Sequence, residues 1–358
     1  MKREEGFSLI ETLVSMAIFS LMSAAVYSTY MSQVKHTARE YQLARSEMDI
    51  NIAKGIMERD LMMAGLGLAT DFSVLLNAAT LNLVAETRAI AATNAIASDG
   101  LVLMGTALGI EALAPQGWTA SEGAALPLKV WVDEPRDNPQ NGDRMVVLDP
   151  DMKRVLNAVP YSYGLGISGL PQGALAYGLA GATAILGATD LPHYWVRYAL
   201  YAPSEPDIYC AAGTFSLGRA ETRKRDNVPP IPAAPPSPSG SWGWPASGAR
   251  PMLPCVLNMQ VSFGLDTDED NDVDVWDEGG MAAAGLSAVA LNDQIKQIRV
   301  YLLVQASDRD INYSHPLSVL VGDSDLGTGI TVALDQAKQQ EQYRWELLTS
   351  VVTPRNIR

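Results

Sequence analysis

The chain has 358 residues, 47% of them hydrophobic and 18% charged, and a formal net charge of −14. That balance excludes a nucleic-acid binder, which needs a basic face to meet phosphates, and the apolar content excludes a disordered acidic chain. Only one stretch is apolar enough to cross a bilayer, so a multi-span membrane protein is excluded as well.

The chain opens Met-Lys-Arg-Glu-Glu-Gly, followed by Phe7-Ser8-Leu9-Ile10-Glu11 and an apolar run to Tyr30. No charged residue occurs from Thr12 to Tyr30. As a helix, Phe7–Tyr30 measures roughly 36 Å, enough to cross a hydrocarbon core of about 30 Å. Lys2 and Arg3 precede the run, so the positive-inside rule keeps the start cytoplasmic and sends the remainder across the membrane. Glu11 stands out, because a carboxylate inside an apolar helix costs a few kcal/mol on insertion scales. It calls for a cation, such as the free N-terminal amine of a neighbouring subunit.

The segment Gly6-Phe7-Ser8-Leu9-Ile10-Glu11 resembles the leader signal of type IV prepilins and type II secretion pseudopilins. The resemblance implies cleavage by a prepilin peptidase between Gly6 and Phe7, N-methylation of Phe7, and a docking role for Glu11 in a filament. Glu4 and Glu5, between the basic pair and Gly6, depart mildly from the pattern. The competing reading is a secretory signal cut after Ser23-Ala24-Ala25. Glu11 disfavours it, and so does the helical pattern that continues past Tyr30.

Between Phe7 and Ala64 there is no Pro, and Gly55 is the only Gly. Ala44, Met48, Ile52 and Ile56 recur at i+4, extended by Tyr41, and predict an apolar stripe that packs into a core. Gly65-Leu66-Gly67 predicts the helix stop. The expected organisation is a leader at 1–6, a membrane or filament-core helix at 7–30, an amphipathic continuation at 31–64 and a β-rich head at 65–358. The helix end, Met57-Glu58-Arg59-Asp60-Leu61-Met62-Met63-Ala64-Gly65, looks like that of PilW-type minor pilins and J-type pseudopilins. So does the chain end, with its Arg355-Asn356 pair. The implied fold is α+β and pilin-like: a long N-terminal helix packed on an antiparallel β-sheet with long loop insertions.

In the head, strand character falls at 101–104, 129–132, 145–148, 194–201, 257–265, 297–304 and 343–352. Ile298, Val300, Leu302 and Val304 alternate with Arg299, Tyr301, Leu303 and Gln305, as in a half-buried strand. Leu257, Met259, Val261, Phe263 and Leu265 repeat the pattern. The Gly-rich stretch 164–187 reads as an irregular surface excursion, and the Pro/Ser/Gly-rich stretch 228–254 as a long loop. Cys210 and Cys255 are the only cysteines and bracket that loop. In an oxidising compartment a bridge between them is expected, worth roughly 4 kcal/mol in the loop-entropy picture.

Residues 266–278 contain eight acids and no base. Asp266, Asp268, Asp270, Asp272, Asp274 and Asp277 fall at positions 1, 3, 5, 7, 9 and 12, the spacing of a calcium loop. Asn271 stands where such loops carry Gly, and Glu278 could compete with Asp277. The alternative is a solvated acidic turn. PilW-like chains look similar here, so a structural Ca2+ is the expectation. No enzyme is expected: His36, His193 and His315 are scattered, and the Gly164-x-Gly166-x-x-Gly169 match is followed by Pro171 rather than a helix.

The resemblance therefore implies a minor pilin that helps to prime pilus assembly at or near the tip. It would be held in the inner membrane with a periplasmic head and later carried on the pilus. The implied partners are other minor pilins, the major pilin, the prepilin peptidase, the inner-membrane assembly platform and a tip adhesin of the PilY type. A J-type pseudopilin and a tip-located adhesion module are the alternatives.

Overall fold

A computed structural model describes residues 8–67, 90–93, 98–106, 108, 117–119, 128, 138, 144–152, 161–162, 170–179, 194–203, 207–223, 249–278, 290 and 293–356. The predicted cleavage site between Gly6 and Phe7, the strand expected at 129–132 and most of the 228–254 loop lie outside these residues.

One helix, α1, runs from Leu9 to Met63 over 55 residues, about 82 Å at the α-helical rise. It stops where the glycines predicted, with Gly65 and Gly67 at φ 85° and 70°. The backbone comes close to Thr106 there: a Cβ on Gly67 would lie 2.6 Å from that side chain. Asn356 donates from Nδ2 to the Met62 carbonyl at 3.0 Å, satisfying an acceptor that the last helical turn leaves open.

The head is built on an eight-stranded antiparallel sheet. Its members are β1 (Ile90–Thr93), β2 (Gly100–Gly105), β7 (Tyr194–Tyr201), β8 (Phe215–Arg223), β9 (Ala249–Leu265), β11 (Ile295–Gln305) and β14 (Trp345–Val352), in that spatial order, with β10 (Val275–Glu278) also paired to β9. A second sheet has the order β3 (Gly117–Thr119), β6 (Leu175–Leu179), β4 (Arg144–Leu148), β5 (Tyr161–Ser162). The hairpin β12 (Ser318–Asp323) and β13 (Thr328–Ala333) stands apart. The expected α+β architecture of a long helix on an antiparallel sheet is what the chain adopts.

The main core lies between α1 and the large sheet. Ile50, Ala53, Met57, Leu61 and Ala64 of the helix meet Ile298, Val300, Leu302 and Val304 of β11. This corrects the predicted stripe. Tyr41, Met48, Ile52 and Ile56 are 71%, 59%, 55% and 38% exposed, whereas Ala53, Met57 and Leu61 are at most 1% exposed. At about 100° per residue, position 52 lies about 200° around the helix from position 50, so the two apolar rows face opposite ways. Only one of them meets the sheet.

β11 also departs from the half-buried expectation. Its even residues face the helix, but Tyr301 and Leu303 are buried in a second cluster with Ala211, Val321, Leu334 and Trp345. The β12–β13 hairpin and the loop after β7 supply that cover. In β9 the regular alternation breaks next to Cys255, where the register against β11 shifts between Leu303 and Val304. Leu257 therefore joins the outer cluster, while Val256, Met259, Val261 and Phe263 pack under the helix. The Gly-rich excursion predicted at 164–187 contains β6, whose Ala176 is fully buried in the small core of the second sheet.

Candidate functional site

The first part of α1 leaves the head entirely. Leu9–Val34 is a 26-residue segment of mean hydropathy 1.9 with none of its apolar window buried. Its length and composition suffice to span a bilayer. Glu11 lies in the first turn of this segment and is exposed, so the head leaves its carboxylate open to an outside group.

The last part of α1 is clamped to the head by a buried charge. Asp60 is 2% exposed and lies on the same face as Met57, Leu61 and Ala64. Its Oδ2 accepts from the Tyr198 hydroxyl at 2.6 Å and from Arg219 Nε at 2.7 Å. Arg219 donates a further bond to the Leu108 carbonyl at 3.0 Å. Burial, then the neighbouring Asp60 charge, hold the Tyr198 phenol neutral well above its ordinary range, against the opposing pull of Arg219. In the sequence, Asp60 stands out only as part of the helix end that resembles PilW-type minor pilins. The signal for its role was a carboxylate set among apolar residues at helical spacing; its partners, on β7 and β8, carried no comparable mark.

The acidic run folds as a tight loop between β9 and β10. Asp266, Asp268 and Asp274 converge, with one carboxylate oxygen from each within 4.8 Å of the others. Asp266 is 1% exposed and accepts from the backbone N–H groups of Glu269 at 2.7 Å and Asn271 at 2.9 Å. Lys296 approaches it at 3.3 Å. Asn271 has φ 72°, the left-handed turn expected of it. Asp274 accepts from both the N–H and the hydroxyl of Thr267, at 2.7 and 2.8 Å.

Of the six acids at calcium-loop spacing, three come together. Asp270 and Asp272 are exposed and outside the convergent group. Asp277 sits in β10 opposite Phe263, where its strand holds it in register with β9 rather than closing the loop. The three convergent carboxylates could hold a metal ion. Burial works against ionisation of Asp266, but its bonds from Asn271, Lys296 and Glu269 hold its pKa below the ordinary value. Bonds from Thr267 likewise hold Asp274 low. Asp268 is raised, by burial and then by its neighbours Asp270 and Asp274.

Cys210 and Cys255 form the expected disulfide, with Cα atoms 5.0 Å apart. The loop carrying Cys210 is also held by polar side chains. Gln305 accepts from Ala211 N–H at 2.7 Å and donates to the Tyr209 carbonyl at 2.8 Å. Gln340 donates to the Ala212 carbonyl at 2.9 Å.

The prokaryotic N-terminal methylation motif matches residues 1–27, the start of the chain and the first part of the exposed helix. The family described as type IV pilus-assembly protein W matches residues 242–356, which include β9, the acidic loop, β11, β14 and the capping Asn356. Over those residues the chain is similar to PilW-type pilus-assembly proteins. No curated protein matches it. Among solved structures, a type IV-like pilin from Thermus thermophilus is similar at 9% identity, over 87% of this chain and 98% of that one, with a TM-score of 0.35. The Asp60 clamp joins the two matched parts of the chain only indirectly. Asp60 lies between them in sequence, and Arg219 lies just before the second.

Proposed function

We propose that the chain is a PilW-like minor pilin that helps to prime type IV pilus assembly and sits at or near the pilus tip. Before assembly it is held in the inner membrane by Leu9–Val34, with the head on the periplasmic side. Prepilin peptidase cuts between Gly6 and Phe7, and Phe7 is methylated. The observation that carries the reading is the division of one continuous helix: 26 residues stand wholly free of the head, while the last turns are locked to it by the buried Asp60–Arg219 pair. Such a helix transmits the position of its membrane half to the head as a rigid rod. Glu11, left open by the head, pairs with the amine of a neighbouring subunit, which lets the apolar segment exchange lipid for other pilin helices. The neighbours are other minor pilins and the major pilin, with the assembly platform below and a tip adhesin of the PilY type above.

Replacing Glu11 by Ala tests the docking step. The variant should be cleaved and methylated normally, as read by intact mass, yet cells carrying it should be depleted of surface pili. Normal piliation would remove docking through Glu11 from the account. Deleting the chain should abolish pili; loss of protein export with pili intact would instead favour the pseudopilin alternative. The three convergent aspartates belong to the same reading as a structural Ca2+ site bracing β9 and β10.

A further inference from the structure

The β12–β13 hairpin lies on the outer face of the large sheet, against β9, β10 and β11. It forms a sheet of its own, and among the described residues it shares no backbone pairing with the strands beneath it. Side chains hold it down. Val319, Val321 and Val332 meet Tyr301, Leu303 and Trp345 toward its base, where the Leu334 N–H donates to the Leu317 carbonyl at 2.8 Å. At its tip the contact is polar. Asp323 Oδ1 accepts from the Asp325 N–H at 3.0 Å and shapes the turn, while Oδ2 accepts from Arg299 Nη1 of β11 at 2.9 Å. Arg299 is steadied on the sheet by Gln297 at 2.9 Å and by the Trp276 ring, 4.6 Å from its guanidinium carbon.

Two hydroxyls under this cover have no partner among the described residues: Tyr301 Oη and Ser262 Oγ, in side chains 1% and 0% exposed. Ser262 stands opposite Arg299. It alternates with Val261 and Phe263, which pack under the helix, so it lies on the hairpin side. A buried hydroxyl without a partner raises the free energy of the closed state, and water satisfies it on opening. The hairpin is thus fastened by apolar contacts at one end and by a partly exposed ion pair at the other, over two groups that favour release.

We propose that β12–β13 is a lid. It hinges at Leu317 and Leu334, lifts from the Asp323 tip, and bares an apolar face centred on Tyr301 and Leu303 while the core beneath α1 stays closed. The Arg299–Asp323 pair is its latch. The inference uses no part of the filament reading and stands or falls apart from it.

Thiol labelling tests the lid. Cys210 and Cys255 are bonded to each other, so an introduced cysteine is the only free thiol. Ser262→Cys places it under the lid. Ser350→Cys places it opposite Val300, on the helix side of the same sheet, at a position also fully buried. In the folded, detergent-solubilised chain the thiol at 262 should react with a maleimide about tenfold faster than the one at 350. Adding Asp323→Asn keeps the turn bond but removes the latch charge, and should speed reaction at 262 about fivefold with no change at 350. Adding Tyr301→Phe should slow reaction at 262 about fivefold, the reverse of what loss of a satisfied hydrogen bond does. In the unsubstituted chain the β12–β13 amides should exchange with deuterium ahead of those of β9 and β11, because a lone two-stranded hairpin is marginal in water. Equal rates at 262 and 350, an unchanged rate at 262 with Asp323→Asn, a faster one with Tyr301→Phe, or hairpin amides as protected as those of β11 would each overturn the proposal.

Discussion

Asp60 and Arg219 are 159 residues apart in sequence and 2.7 Å apart in space, both at the buried junction of helix and sheet. The pair is the polar centre of an otherwise apolar contact. Removing one partner leaves the other charge buried without compensation, at a cost of about 3–5 kcal/mol. Asp60→Ala or Arg219→Ala should therefore lower the denaturation midpoint of the detergent-solubilised chain strongly. The apolar replacement Asp60→Leu with Arg219→Met should lie much closer to wild type. If the double variant is as unstable as the singles, desolvated charge is not the cause.

The two rows of α1 predict opposite responses. Met57→Ala removes a side chain that is 1% exposed and should cost about 2–5 kcal/mol. Met48→Ala, on the exposed row, should change the stability of the isolated subunit by about 0.5 kcal/mol or less. Chemical denaturation of both variants measures the difference; equal losses would mean that the helix packs on the other face.

The acidic loop makes a signed prediction for pH. Asp266 and Asp274 have lowered pKa values, so their stabilisation is present above about pH 4, the ordinary carboxylate range, and is lost as the pH falls through their lower folded values. Asp268 is raised, so its contribution has the opposite sign: it favours the fold at low pH and loses that effect as the pH rises. At neutral pH without divalent ions, Asp268→Asn should raise the melting temperature. With Ca2+ the wild type should gain stability and Asp268→Asn should gain much less. No shift of the wild type between EGTA and Ca2+ would argue against a structural ion.

Replacing Cys210 and Cys255 by Ser opens a covalent loop with a separation of 45 residues. The loss should approach, and not exceed, about 4 kcal/mol, because Gln305 and Gln340 still hold the Cys210 loop. Denaturation of the oxidised chain, compared with the Ser variant, measures it. A loss well above that value would show that the side-chain bonds depend on the bridge.

The sequence by itself determined the features that local pattern encodes. An uncharged run, a leader-like Gly6-Phe7, a Pro-free stretch and the Gly65-x-Gly67 stop specify the long helix, because rise per residue and helix termination are properties of neighbours in the chain. Alternation specified β11, and the left-handed turn at Asn271 was legible in the spacing of the acids. What needed the tertiary structure was every choice between equivalent local options. Both apolar rows of α1 could have packed, and the sheet took Ile50, Ala53, Met57 and Leu61. Leu257 follows the strand pattern until the irregularity beside Cys255 turns it to the other face. Six aspartates share one spacing, but pairing of β10 with β9 takes Asp277 away and leaves three together. Asp60 finds Tyr198 and Arg219 across 138 and 159 residues. Contacts at such separations arise from how faces meet in space, and no short window of sequence contains both of the faces.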